Sequence, residues 1–372
     1  MVESIIVSLV AVLFAYMARF RRGELWLKLS ITILTIFLSI GYNWGNDVVS
    51  YEAMFHAAKD YGASLFDFSG GGSIVEKGEF GWIVLNRLCQ PIGFWGMRIL
   101  LFCFEGFVIY RLIKHYVSPD YYWMAVFFFT FNNTLMVLGS SMMRQYLAMC
   151  IVALAMDVSI QAIIKRKGKS SLIKVSLFYI AAVFFASLFH RSAFMVLPTV
   201  FLFWFDLHFS RNSIIGLLVF AVLWYSFAYS LFISPLENLL TDYFDAYSVY
   251  GDKGGLGIGV IFYLFMYIMI ISRSEYYTRD KRIVCAFACF SVFILPFVAI
   301  TEFVTRISLY FSLFSIVAYP TFFKSVSRSY LFFLFFPLAF IVLYSYWGFF
   351  HGNVWSEAYY HYTTIFSVGG WR

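Results

Sequence analysis

Apolar runs of about 18–22 residues recur along most of the chain, each closed by a short polar or charged stretch. A run of that length crosses a hydrocarbon core of roughly 30 Å as a helix. No sustained period-two alternation runs through these segments, so helices and not a closed barrel fit the pattern. The pattern predicts an all-α, polytopic transmembrane helical bundle of about 12 helices. Their approximate spans are 4–18, 25–42, 93–111, 121–138, 143–163, 172–189, 193–208, 213–233, 257–272, 283–300, 305–323 and 330–347. Two long interruptions remain, 43–92 and 234–256, both read as insertions in a single membrane domain covering residues 1–372. Within the first, residues 81–92 are too short and too polar to span, and are expected as a surface or re-entrant helix.

Composition supports the membrane reading: 62% of residues are hydrophobic and only 13% charged, which excludes an ordinary soluble domain. The net charge of +7 does not call for a nucleic-acid partner, because lysines and arginines gather in alternate loops, as membrane orientation requires. The first run has Glu3 before it and Arg19, Arg21 and Arg22 after it, the reverse of a secretory signal. It is expected as a retained helix with its N-terminus outside. Lys165-Arg166-Lys167-Gly168-Lys169 and the cluster Arg273, Arg279, Lys281 and Arg282 then lie inside. Segment 43–82, segment 234–256 and the C-terminal tail face outward. Cys285 and Cys289 share a helix face without a nearby His or acid in sequence, so the five cysteines read as packing residues and no metal site is expected.

Candidate chemistry comes from the charges that orientation does not explain. Arg144, Arg191 and Arg306 stand at outward helix ends, where basic residues should be scarce. Snorkelling to lipid phosphates is the plain explanation for any one of them. Three on one face fit a pocket for a phosphorylated lipid, since guanidinium groups bind phosphate bidentately and helix N-termini add positive potential. His190, beside Arg191, should be held neutral and able to accept a proton. Asp47 and Glu79 are the acidic candidates, with Trp44, Tyr51, Phe80 and Trp82 around them as a sugar-stacking surface. Glu79 is favoured over Asp47 as proton acceptor, because Trp82 would shield it and raise its pKa; Asp47 would then hold a hydroxyl. Glu105, inside a helix, is expected to pair with an arginine or to be protonated, and Asp157 to be an inner anchor. Ser69-Gly70-Gly71-Gly72-Ser73 supplies the flexibility of a closing loop. Walker, dinucleotide and His-Glu-x-x-His motifs are absent from the sequence, so phosphate chemistry would rest on arginine and need no cofactor.

Four motifs carry a resemblance. They are Asn46-Asp47-x-x-x-Tyr51-x-x-x-Phe55, Glu79-x-Gly81-Trp82, Met143-Arg144-Gln145-Tyr146-Leu147-Ala148, and Ser187-Leu188-Phe189-His190-Arg191-Ser192-Ala193. In order and spacing over roughly residues 40–200, the chain resembles the EpsG-type membrane proteins, relatives of Wzy polysaccharide polymerases. Phe80 and Asn46 stand where that family often has Pro and Gly. The resemblance implies a bacterial inner-membrane enzyme that joins undecaprenyl-diphosphate-linked oligosaccharide units at the periplasmic face, making O-antigen, capsule or exopolysaccharide. It implies that Arg144, Arg191, Arg306 and Gln145 hold the lipid diphosphate and that Tyr51 and Trp82 stack on sugar. The proton acceptor is one of Asp47, Glu79 and His190, with Arg191 beside it. Membrane lipids and a chain-length regulator protein are the implied partners. Other classes stay open: an O-antigen ligase-like glycosyltransferase, a lipid-linked oligosaccharide flippase, or an acyltransferase using His190. A flippase should carry polar groups through the membrane depth, whereas here they gather at one face.

Overall fold

The computed structural model describes residues 1–20, 22–60, 67, 79–165, 168–205, 207–227, 258–298, 302–352 and 356–367. Helices dominate it. The first two, α1 (Val2–Met17) and α2 (Gly23–Ile40), form a hairpin whose contact is lined by small residues. Ala11, Ala15, Ser8 and Ser30 are all buried, and Ser30 Oγ donates to the Ala11 carbonyl at 2.7 Å. Small residues let the two backbones approach, the usual way helices associate where the surroundings are as apolar as the side chains.

Two short helices follow, α3 (Val48–Ala57) and α4 (Phe80–Leu88), then the long α5 (Gly93–Tyr116). The surface or re-entrant helix expected over 81–92 is α4, continued by a single 3-10 turn, Gln90–Ile92. The Gly70-Gly71-Gly72 run lies outside the described residues, as does 234–256.

Three expected helices differ in form. The run 121–138 is not one helix: α6 (Tyr122–Thr130) stops, and the Asn132 carboxamide accepts from the Thr134 and Leu135 amides at 3.0 and 3.2 Å. That side-chain cap starts a π-helical turn, Asn133–Leu138. The helix expected over 193–208 is a 3-10 helix, Arg191–Phe203, containing Pro198. At about 2.0 Å per residue its 13 residues extend roughly 26 Å, so a short segment still crosses most of a bilayer. The run 305–323 divides into α12 (Glu302–Ser312) and α13 (Ser315–Ser325). Between α6 and α12 come α7 (Met143–Lys165), α8 (Lys169–Ser187), α9 (Arg211–Phe227), α10 (Ile258–Ser272) and α11 (Arg279–Val298); α14 (Arg328–Gly352) follows α13.

Among the described residues, six helices are long and apolar enough to cross a membrane: Gly23–Ile40, Gln90–Tyr116, Met143–Lys165, Lys169–Ser187, Arg306–Ser325 and Arg328–Gly352. Shorter apolar helices, including α1 and the 3-10 segment, accompany them. Phe332, Phe333, Phe336, Phe340 and Trp347 on α14 are exposed, a face that suits lipid. The protein is thus an all-α, multi-pass membrane protein.

Charges separate along α7. Near its C-terminal end, buried Asp157 pairs with Arg111 and accepts from the Tyr116 hydroxyl at 2.9 Å, with His115 Nδ1 at 2.8 Å. This ties α5 to α7 and gives Asp157 its anchoring role. Lys28, Lys114 and Tyr110 gather around exposed Glu24. The expected arginine partner of Glu105 is not seen among the described ion pairs; Arg98, two turns away on α5, gives Nη2 to the Leu38 carbonyl at 3.3 Å. Arg144, in the first turn of α7, lies thirteen residues before Asp157, about 20 Å along the axis.

That separation makes the orientation testable. In a Cys103→Ser background, a cysteine placed at exposed Lys59 should react with an impermeant thiol reagent added to intact cells, and one at exposed Ser170 should not. Equal labelling of both from outside overturns the outward assignment of segment 43–82.

The packing of the C-terminal residues has no local signature in the chain. Residues 356–367 return to the end of α2, where β1 (Gly41–Tyr42) and β2 (Thr363–Thr364) pair antiparallel, Gly41 opposite Thr364 and Tyr42 opposite Thr363. Tyr362 stacks on Phe37 with ring centres 4.2 Å apart and donates to the Phe37 carbonyl.

Candidate active site

Glu79 stands immediately before α4 and is 2% exposed. Its position is set by Gly81, whose amide donates to the Leu188 carbonyl at 2.9 Å. A Cβ on Gly81 would lie 3.0–3.1 Å from three atoms of Leu188, so glycine lets α4 seat its first turn on the end of α8 without displacing Leu188. This is a physical reason for glycine two residues after the acid.

Seated there, Glu79 collects three partners from two distant parts of the chain. Arg144 Nη1 pairs with its Oε2, and His190 Nδ1 lies 2.9 Å from its Oε1. The Arg191 amide, the first of the 3-10 helix, donates to the same Oε1 at 3.3 Å. A helix-start amide is one of the donors a helix leaves unpaired, and a carboxylate suits it. A further charge acts on His190 and not on Glu79: Arg306, on α12, whose carbonyl accepts from Gln145 Nε2 at 2.7 Å. The structure therefore brings Glu79, Arg144, His190, Arg191, Gln145 and Arg306 to one place.

The electrostatics correct one expectation. Burial alone would raise the Glu79 carboxyl, but the His190 hydrogen bond and the Arg144 charge outweigh it, and the group is held below the usual range. Shielding by Trp82 does not make it a poised base; it is a locked carboxylate. His190 moves as expected. Burial lowers its pKa, the Glu79 contact offsets part of this, and Arg144 and Arg306 lower it further. An ionised Glu79 can only accept, so Nδ1 carries the imidazole proton and Nε2 is left as the basic nitrogen. Nε2 is buried and has no partner among the described residues.

Tyr51 and Trp82 are placed differently from an open sugar-stacking surface. Trp82 is fully buried and Tyr51 nearly so; their rings meet edge to face at 5.4 Å, and the Arg144 guanidinium lies over the Tyr51 ring at 5.6 Å. Packed with Val48, Phe55, Met143 and Phe189, they form the wall behind the charges. Apolar bulk explains it: Trp82 projects from the first turn of a helix whose inner face is core. Burial raises the Tyr51 phenol against the opposing pull of Arg144.

Asp47 sits at the start of α3, and its charge reaches both Tyr51 and Arg144. The Asn46 carboxamide donates to Asp47 Oδ1 at 3.0 Å. Ser141 and Tyr359, which sequence reasoning missed, both reach the Asn46 oxygen, at 2.9 and 3.0 Å. Tyr359 lies 313 residues from Asn46, so no local pattern could reveal the contact. Among the described residues no group of three or more His, Cys, Asp or Glu side chains could hold a metal ion.

Fold and site together define a multi-pass helical membrane protein with an arginine-, histidine- and carboxylate-bearing site at one end of its bundle. The model of the EpsG family matches residues 25–364, so the chain belongs to the EpsG family. The match extends well past the motifs into the C-terminal half. Membership points to a polysaccharide polymerase or a related glycosyltransferase-like membrane protein. No curated protein and no solved structure matches the chain.

Proposed function

We propose that this protein polymerises undecaprenyl-diphosphate-linked oligosaccharide repeat units by glycosyl transfer, at the periplasmic face of a bacterial inner membrane. The observation that carries the reading is the Glu79–His190 contact, with the unpartnered His190 Nε2 beside Arg144 and Arg306. It supplies both things the reaction needs, a proton acceptor and concentrated positive charge.

The step balances as follows. The acceptor hydroxyl oxygen forms a bond to the anomeric carbon of the growing chain. The bond from that carbon to the lipid diphosphate breaks, and its electron pair leaves with the diphosphate. The hydroxyl proton goes to His190 Nε2. Arg144, Arg191 and Arg306 stabilise the negative charge gathering on the leaving group, with Gln145 fixing the Arg306 backbone. Glu79 fixes the imidazole tautomer and Asp47 holds the acceptor hydroxyl.

Purified protein in liposomes, given lipid-linked single repeat units, should produce a ladder of longer lipid-linked chains. Because the site offers arginines to the leaving diphosphate, the ladder should persist in EDTA. A complete loss restored by Mg²⁺ would make Asp47 and Glu79 metal ligands. Passage of the unit between leaflets without a ladder would make the protein a flippase, and transfer only to a different acceptor would make it a ligase.

A further inference from the structure

The turn between α2 and α3 is held by a segment more than three hundred residues away. Trp44 Nε1 donates to the Tyr359 carbonyl at 3.1 Å, and the Gly45 amide donates to the Ala358 carbonyl at 3.1 Å. Gly45 adopts φ +130°, and a Cβ there would lie 2.6 Å from the Ser141 Cβ. Only glycine lets the turn close this tightly on Ser141. The Ile365 amide donates to the Ile40 carbonyl at 3.0 Å, so residues 356–367 grip both ends of the turn.

At the centre are three side chains. Tyr359 is fully buried, with its hydroxyl 2.6 Å from Ser141 Oγ, and both hydroxyls converge on the Asn46 oxygen. Of the two hydroxyl protons, one fills the 2.6 Å contact between the hydroxyls and the other is given to the Asn46 oxygen, so the pair presents a donor to that end of the carboxamide. The Asn46 nitrogen therefore faces the other way, toward Asp47 Oδ1 at 3.0 Å. Reversing the amide would take its oxygen from that donor and set it against the Asp47 carboxylate. Asp47 in turn acts by charge on Tyr51 and Arg144.

We infer that Tyr359, carried by the C-terminal segment, is a positioning residue of the active site: with Ser141 it fixes the Asn46 carboxamide, which aims the Asp47 carboxylate at the acceptor sugar. The inference rests on the proposed polymerisation, in which Asp47 holds the acceptor hydroxyl. It adds the C-terminal segment to the site, joining it to the turn before α3 and the residues leading into α7. The buried ring of Tyr359 meets Trp44 at 5.3 Å and Phe349 at 5.6 Å edge to face, so removing only the hydroxyl leaves the packing in place.

The test is a double-mutant cycle of Tyr359→Phe with Asp47→Asn. Pre-formed lipid-linked polymer serves as donor and labelled single repeats as acceptor, with acceptor binding measured separately from turnover. Tyr359→Phe should lower kcat/KM for the acceptor by roughly 3- to 10-fold, the range of one lost hydrogen bond, and leave donor binding unchanged. In the Asp47→Asn background the same change should cost less than about 2-fold, because its target is already gone. A purely structural role gives equal losses in both backgrounds and overturns the inference. Wild-type protein that binds and polymerises, combined with such equal losses, rejects the inference alone. Wild-type protein that neither binds nor extends the labelled unit rejects the polymerase reading and this inference with it. Binding without turnover rejects the reaction while the binding arm of the cycle still decides the positioning role.

Discussion

Arg144→Lys should abolish most polymerisation although it keeps the positive charge. In the structure the Arg144 guanidinium does three things at once: Nη1 pairs with Glu79, Nε approaches the Tyr51 hydroxyl at 3.5 Å, and the planar group lies over the Tyr51 ring. An ammonium is a point donor. It can keep the Glu79 pair or turn to the leaving diphosphate, and it cannot reproduce the fork. Loss of one preorganised donor to developing negative charge costs roughly 10²- to 10³-fold in turnover. Arg144→Ala should be worse in a second respect, since it leaves the buried Glu79 carboxylate without its arginine, a loss of up to about 3–5 kcal/mol in stability. The two variants separate the roles: Lys should keep the detergent-solubilised unfolding temperature near wild type, and Ala should lower it. Near-wild-type ladders from Arg144→Lys would return this residue to a lipid-anchoring role.

How much of this was legible in the sequence follows from the range of each interaction. Helix positions were readable wherever an apolar run was long enough to span, because that signal is local. Arg144, Arg191 and His190 stood out because charge at an outward helix end is costly and needs a reason. Their convergence on one carboxylate was not readable, since the contacts to Glu79 cross 65 residues for Arg144 and 111 for His190. The direction of the Glu79 shift was misjudged for the same reason: shielding by Trp82 is visible in sequence, and the opposing ion pair is not. Some local signals were present and passed over. Asn132-Asn133 is cap chemistry inside the run 121–138, and Pro198 marks a segment that cannot continue as regular α-helix. Tyr359 had no such signal, because an aromatic tail residue looks like an interfacial anchor until its partner is known.

Protonation of His190 should set the acid limb of activity, and the sign follows from its surroundings. Burial and the nearby arginines disfavour the imidazolium, so its pKa lies below the free value of about 6.5. Turnover should therefore stay level as pH falls through 6.5 and drop only at lower pH, where Nε2 gains a proton and can no longer accept one. His190→Gln should lose roughly 10²- to 10⁴-fold across the range, the usual contribution of a general base. Glu79→Gln is the more informative variant. One end of the new amide faces Arg144 and the other faces His190 and the Arg191 amide, all donors when Nδ1 carries the proton. If its oxygen turns to Arg144, its N–H groups push the imidazole proton to Nε2 and remove the basic nitrogen; if it turns the other way, they oppose Arg144. Either arrangement lowers turnover at every pH. Loss of the carboxylate also removes the one influence that raises the His190 pKa, so the residual acid limb should move to lower pH. The measurement is the pH dependence of ladder formation in reconstituted protein for wild type and both variants. A wild-type acid limb above pH 6.5, or a His190→Gln variant within a few-fold of wild type, places the base elsewhere, and Asp47 is then the carboxylate best placed to serve.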